Sequence, residues 1–171
     1  MMNKNIASIA NRIDDRCHVD RCKSGRCGVS LKGMPHPSDR LIVDMDCREL
    51  RIRNDRKRCD YLIFIDDPFD NRAGHILAIS MEMKDEKVRE VSSILEQIKG
   101  GIEIARTWID ENTSTQFVAV LVHNGIHRES SRKLAGSPIK ISGVSHLDVI
   151  SIRSGACLID EIKNDLYSSK K

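Results

Sequence analysis

The sequence predicts an α/β domain in which a mixed central β-sheet is flanked by helices. Three short apolar runs follow one another between residues 41 and 84, and such runs bounded by turn residues are typical of strands. A long helical pattern then leads to Phe117–Val122, a fully apolar run typical of a central strand covered on both faces. We therefore expect one domain over residues 1–171, with an N-terminal part at 1–40 and a core at 41–160.

Composition and charge exclude several kinds of protein. Aromatic residues make up 4% of the chain, too few for a platform that stacks single-stranded bases. No apolar run is long enough to cross a membrane and the N-terminus is too polar for a signal peptide, which predicts a cytoplasmic protein with reduced cysteines. The first 60 residues carry 14 Lys and Arg against 9 Asp and Glu, an imbalance that favours a polyanionic partner.

The elements follow in order along the chain. Apolar residues at helical spacing predict a short amphipathic helix over residues 3–16. Strands are predicted at 41–46, 60–65 and 76–84, joined by turns short enough for an antiparallel meander. Apolar positions that alternate by three and four predict a long helix at about 86–109, the strongest periodic signal in the chain.

The long helix contains the pair Gly100-Gly101, and each Gly costs about 1 kcal/mol relative to Ala in a helix interior. A close approach of the helix to the sheet is the expected compensation. After the central strand, a short helix near 129–134 and a strand at 147–152 complete the core, and the tail at 168–171 is expected to fray.

The N-terminal part contains Cys17, Cys22 and Cys27 at a C-x4-C-x4-C spacing. Zinc sites usually combine two pairs at C-x2–4-C spacing, so a zinc site here would need Cys47 or Cys59 to join in space. A loop with incidental thiols is the preferred interpretation, and a zinc-stabilised nucleic-acid-binding protein is an alternative.

The third strand ends in Glu82-Met83-Lys84. Because side chains alternate along a strand, Glu82 and Lys84 share one face with the small residues Ala78 and Ser80. The other face carries four apolar residues that point into a core, Leu77, Ile79, Met81 and Met83. A strand-end salt bridge is the ordinary explanation of an isolated Glu-x-Lys.

Residues upstream and downstream change that interpretation. Asp60 opens the second strand 22 residues before Glu82, and Gln97 follows Lys84 by 13 residues in the long helix. This order of elements, over roughly residues 41–123, resembles the PD-(D/E)xK nuclease superfamily with its restriction-endonuclease-like αβββαβ core. The matching residues are Cys59-Asp60, Glu82-Met83-Lys84 and Glu96-Gln97.

The resemblance implies hydrolysis of phosphodiester bonds with Mg²⁺ or Mn²⁺. Asp60 and Glu82 would hold this hard cation together with the backbone carbonyl of Met83. Lys84 would orient or deprotonate the attacking water and stabilise charge on the phosphate. Gln97 would hydrogen-bond near the metal or the phosphate, although a polar residue flanking a core stripe fits the pattern equally well.

Two further features of the family can be matched in part. Members often add an acid from the first helix, and the sequence does not choose between Asp14 and Asp15. Cys59 stands where the family often has Pro, a difference that removes no chemistry. His123 and His127 follow the central strand and could face the site, although a satisfied or exposed His is the more ordinary role.

A basic segment adjoins Asp60, and we expect it to contact the phosphates of a nucleic acid. The only acidic residue within this segment is Asp55. The cationic residues are Arg51, Arg53, Arg56, Lys57 and Arg58. A solvated hairpin tip is the alternative. Nothing in this segment indicates readout of base sequence.

The expected function is therefore a Mg²⁺-dependent endonuclease that acts on DNA rather than RNA. A homodimer or a partner subunit would supply the second site needed to cut both strands. Besides the zinc-stabilised protein, a non-catalytic member of the same fold that serves as a binding or scaffold subunit is the alternative.

Overall fold

The structure, a computed structural model, describes residues 2–168. Its helices and strands in chain order are α1 (Lys4–Ala10), β1 (Lys23–Ser24), β2 (Cys27–Gly28), β3 (Arg40–Asp44), β4 (Tyr61–Asp66), β5 (Ile76–Lys84), α2 (Ser92–Trp108), β6 (Thr115–His123), α3 (Arg128–Ala135), β7 (Val149–Arg153) and α4 (Leu158–Ser168). Of the tail expected to fray, residues 169–171 lie outside the described residues. No helix within residues 2–168 combines the length and the apolar character needed to cross a membrane.

Five strands form one mixed sheet in the order β3-β4-β5-β6-β7. The first three pair antiparallel, as the short connections predicted, and β5, β6 and β7 run parallel. Helix α2 links β5 to β6, as a parallel pair requires. The predicted α/β class with a mixed sheet flanked by helices is confirmed.

Both faces of β5 are buried, which explains its uninterrupted apolar sequence. One face packs in a core shared with β6, β7 and α4, and contains the predicted row Leu77, Ile79, Met81 and Met83. The opposite face, which carries Ala78 and Ser80, lies under α2, where Ser80 Oγ donates to the carbonyl of Ile98 at 2.8 Å. The small side chains predicted on this face thus leave room for a helix.

The Gly pair of α2 marks the closest approach between the helix and the rest of the fold. A Cβ at Gly100 would overlap the backbone carbonyl of Lys57. A Cβ at Gly101 would overlap Cys59 Sγ and Ser80 Oγ. The predicted reason for two glycines in mid-helix is therefore confirmed, and α2 presses directly on the residues that precede Asp60.

Helix α2 begins at Ser92, later than the predicted start near residue 86. Glu90 accepts hydrogen bonds from the backbone N–H of Ser92 at 2.7 Å and of Ser93 at 2.9 Å, and so satisfies two donors of the first turn. Before it, Val88 is extended and bridges Ile126. Similarly, α1 ends at Ala10, short of the predicted residue 16.

Two elements were not predicted. Helix α4 places Leu158, Ile159 and Ile162 in the core at helical spacing. The hairpin β1–β2 pairs Lys23 with Gly28 and Ser24 with Cys27.

The cysteine prediction was wrong for one pair, because Cys17 and Cys47 form a disulfide across 30 residues. Cys17 ends the turn after α1, and Cys47 follows β3. Cys22, Cys27, Cys59 and Cys157 are free thiols.

Candidate metal and catalytic site

Strand pairing brings Asp60 beside the end of β5. Asp60 precedes β4, and the register sets Tyr61 against Met81. The backbone N–H of Asp60 donates to the Met81 carbonyl at 3.1 Å, and Asp60 Oδ2 accepts from the backbone N–H of Met83 at 2.7 Å. The carboxylate of Asp60 is thereby fixed next to Glu82.

Glu82 is almost fully buried near the end of β5, with 1% of its surface exposed. Lys84 Nζ donates to Glu82 Oε1 at 2.5 Å and lies 3.5 Å from Gln97 Oε1. Glu82 Oε2 is buried and has no hydrogen-bond partner among the described residues. The four predicted side chains Asp60, Glu82, Lys84 and Gln97, called here the motif cluster, therefore come together.

The electrostatics of the motif cluster favour an additional cation. Burial, followed by the nearby charge of Asp60, raises the pKa of Glu82 to about 7 despite the opposing effect of Lys84. Burial also raises the pKa of Asp60, although the hydrogen bond from the Met83 N–H and the charge of Lys84 act in the opposite direction. One ammonium does not compensate two partly desolvated carboxylates, and carboxylate oxygens are ligands that a hard divalent cation prefers.

The acid expected from the first helix does not join this cluster. Asp14 is paired with Arg16, which holds the pKa of Asp14 well below its usual range, and Asp15 lies 3.7 Å from His18. The nearby acids are instead Asp44 and Asp46, whose charges contribute to the raised pKa of Asp60. The available signal was their position, since Asp44 ends strand β3, which pairs with β4, and Asp46 follows two residues later.

The basic segment, residues 51–58, is only partly free to bind phosphate. Arg53 pairs with Asp55 at 2.7 Å. Arg58 is 21% exposed, donates to the Met45 carbonyl at 2.8 Å and pairs with an acid after β3. The remaining cations are exposed and form no ion pair among residues 2–168: Arg51, Arg56 and Lys57.

The two candidate histidines lie at the end of β6 and just before α3, and each keeps one buried ring nitrogen without a hydrogen-bond partner among residues 2–168. His123 lies beside Lys84 in the strand register, is 3% exposed and contacts Ser151 Oγ through Nε2 at 2.8 Å. Burial, followed by the charge of Arg153, lowers the pKa of His123. His127 precedes α3.

The zinc alternative built on Cys17, Cys22 and Cys27 was wrong. Cys22 and Cys27 are buried on the α4 face of the sheet, whereas Cys17 lies in the core on the other face and is bonded to Cys47. Within residues 2–168 the three sulfur atoms do not form a group that could hold a metal.

A second charged group, the turn cluster, lies between β4 and β5. The ligand atoms of Asp67, Asp70 and His75 are within 4.8 Å of one another. His75 Nε2 lies 3.2 Å from Asp67 Oδ2, and Arg72 pairs with Asp70 at 2.5 Å. The sequence analysis did not identify this cluster.

Comparison of the chain with protein-family models, with curated proteins and with solved structures found no match. Geometry and chemistry alone therefore carry the functional argument.

Proposed function

We propose that the protein is a metal-dependent nuclease whose main substrate is DNA. The single observation that carries this proposal is the buried Glu82 carboxylate, whose Oε2 has no partner among residues 2–168 and whose neighbour is a second carboxylate, Asp60. A buried acceptor without a partner is costly, and a cation beside it would offset that cost. The resemblance of Asp60, Glu82-Met83-Lys84 and Gln97 to the PD-(D/E)xK pattern supplies a use for that cation.

The residues present fit Mg²⁺ or Mn²⁺. Asp60 and Glu82 would hold the ion through oxygen atoms, with the backbone carbonyl of Met83 between them. When bound, the ion supplies Lewis-acid stabilisation of phosphate charge and lowers the pKa of a coordinated water.

The other motif residues act on water and on the phosphate. Lys84 is 34% exposed, so its ammonium reaches the solvent side of the site while it contacts Glu82. From there it orients the attacking water and neutralises the charge that develops on phosphorus. Gln97 holds the ammonium in place. Water gives up a proton as its oxygen bonds to phosphorus, the P–O bond to the leaving group breaks, and the leaving oxygen takes up a proton, so that one water is consumed for each bond cut.

A non-catalytic scaffold with this fold is the second candidate. The observation that favours it is the 2.5 Å hydrogen bond from Lys84 Nζ to Glu82 Oε1, in which each charged group compensates part of the charge of the other. The raised pKa of Glu82 argues against a purely structural pair, because a well-satisfied ion pair lowers the pKa of its carboxyl.

Localisation and assembly belong to the same proposal. A cytoplasmic location suits a DNA substrate, and the Cys17–Cys47 disulfide is unusual there. A homodimer or partner subunit would provide the second site for cutting both strands of a duplex.

The experiment is incubation of the purified protein with plasmid, linear duplex, single strands and RNA, each with Mg²⁺, Mn²⁺ or EDTA. We expect cleavage with either metal, none with EDTA, and DNA cut faster than RNA. Absence of cleavage on every substrate with both metals would contradict the nuclease and favour the scaffold.

A further inference from the structure

A segment outside the nuclease-like core crosses the end of the sheet where the motif cluster lies. This strap, residues 19–30, is anchored on β3 by the Val19 N–H, which donates to the Ile42 carbonyl at 2.9 Å. It is anchored after β7 by the Ser30 N–H, which donates to the Ala156 carbonyl at 2.9 Å. The strap therefore spans the whole width of the sheet.

Between these anchors, the strap contacts the residues next to the motif acids. Tyr61, which follows Asp60, donates from its hydroxyl to the Lys23 carbonyl at 2.7 Å. Asp85, which follows Lys84, lies 3.6 Å from the Arg26 guanidinium. Gly25 adopts a positive φ of 57°, and a Cβ there would overlap the Asp85 carboxylate. The strap is thus held by one contact next to Asp60 and by others next to Lys84.

The strap presents cations outward while it buries sulfur inward. Cys22 and Cys27 are 3% and 0% exposed in the core on the α4 face. The Arg21 and Arg26 side chains are 83% and 90% exposed, and Lys23 is exposed as well. Their pairings with Asp20 at 3.8 Å and with Asp85 are long, and such exposed pairs contribute little to stability.

The strap and the basic segment lie on opposite sides of the motif cluster. The strap packs on the α4 face, whereas Lys57 of the basic segment lies against Gly100 of α2 on the other face. If the phosphodiester bond to be cut lies at Glu82, the phosphates on one side of it would meet the basic segment. The phosphates on the other side would meet the cations of the strap.

We propose that the strap is a phosphate-binding surface, which together with the basic segment holds a DNA duplex across the motif cluster. The inference rests on the proposed nuclease function and adds a binding surface to it. Arg21, Lys23 and Arg26 contact backbone phosphates and carry no base readout, since their flexible, exposed side chains are not held in one geometry.

The test is the variant Arg21→Ser/Lys23→Ser/Arg26→Ser, titrated with labelled duplexes of two unrelated sequences in EDTA. We expect weaker binding to both sequences. The slope of log K against log salt should fall in magnitude by about 0.9 for every phosphate that the variant no longer neutralises. In Mg²⁺, KM for duplex should rise while kcat stays near the wild-type value.

A matched control removes the same charge elsewhere. Lys4, Lys140 and Lys163 are exposed on α1, before β7 and on α4. Their replacement by Ser should leave the salt slope unchanged.

The outcomes separate the two proposals. If the wild type cleaves DNA and the strap variant keeps the wild-type slope and KM, the strap inference is wrong and the nuclease stands. If the wild type neither binds nor cleaves nucleic acid, both are wrong. Should the triple variant melt early, Arg26→Ser alone must lower the slope by about 0.9 for the inference to hold.

Discussion

A cluster of charged residues lies at each end of β5, and the carboxyl groups of the two clusters differ in the direction of their pKa shifts. The motif cluster lies at its carboxyl end and the turn cluster before its start, roughly 25 Å apart at about 3.3 Å per residue. In the turn cluster, Arg72 hydrogen bonds lower the pKa of Asp70 to about 2. In the motif cluster, burial and Asp60 raise the pKa of Glu82 to about 7.

The contrast indicates how to tell a structural cluster from a functional one. In the turn cluster, Arg72 pairs with Asp70, and Asp67 Oδ2, which like Glu82 Oε2 is buried and accepts no hydrogen bond among residues 2–168, lies 3.2 Å from His75 Nε2. In the motif cluster, Glu82 keeps an oxygen without a partner among residues 2–168 and remains hard to ionise. The partly exposed Asp70 and the buried Glu82 therefore differ in the direction of their pKa shift, and a raised carboxyl pKa beside a second carboxylate is typical of a functional site.

The largest expected difference between the ends is in cleavage. Glu82→Gln should abolish metal-dependent cleavage, because the amide removes a charged ligand while it keeps the shape of the side chain. Asp70→Asn makes the same chemical change in the turn cluster and should leave turnover unchanged. The measurement is the turnover of plasmid by both variants. Equal activity of the two variants would contradict the distinction between the clusters.

Lys84→Met keeps most of the side-chain stem and removes the ammonium. We expect cleavage to fall by about 10²–10⁴-fold, because water and phosphate lose their charged partner. Metal binding should persist through Asp60 and Glu82, and the melting temperature should hold or rise slightly. Turnover and melting measured on one preparation provide the test. A destabilised but fully active variant would show that Lys84 only pairs with Glu82.

The raised pKa of Glu82 predicts a pH dependence of stability. Between about pH 4.5 and 7 the folded chain retains a proton that the unfolded chain has released, so the free energy of unfolding falls as pH rises. The total loss is about 3 kcal/mol. Because Mg²⁺ competes with this proton, it should raise the melting temperature more at pH 8 than at pH 6.

Glu82→Gln should remove most of both effects. Melting in chelator and in Mg²⁺ across this pH range is the measurement. A metal response that is independent of pH, or that persists in the variant, would place the cation elsewhere.

The smallest expected effect concerns the turn cluster alone. Asp67→Ala removes the contact to Nε2 of the buried His75, whose Nδ1 still contacts Ser114 Oγ, and should lower stability by about 1–3 kcal/mol. Turnover per folded molecule should match the wild type. Denaturant unfolding combined with an activity assay checks this, and reduced activity with intact stability would reveal a functional role.

Much of the fold could be predicted because its signals are local. The ends of β5 follow from an unbroken apolar run, and Gly100-Gly101 indicates a close helix contact that a side chain would block. The motif residues Asp60 and Glu82 were predicted to be neighbours since consecutive antiparallel strands pair at their shared end.

The remaining features depend on contacts between residues distant in sequence. The strap is held by Tyr61 and Asp85, and nothing in its own Arg- and Cys-rich sequence indicates those partners. The start of α2 depends on the Glu90 side chain rather than on periodicity. Asp44 approaches Asp60 only through the strand register, so sequence spacing pointed instead to acids after the first helix.

The Cys17–Cys47 disulfide makes the stability of the proposed binding surface depend on its chemical surroundings. Cys17 lies two residues before the strap, and Cys47 lies four residues before the basic segment. One covalent bond thus joins the bases of both cationic regions, and its reduction would return roughly 3–4 kcal/mol of loop entropy to the unfolded chain. The stability of the part of the fold that carries both regions therefore depends on the thiol–disulfide balance of the solution.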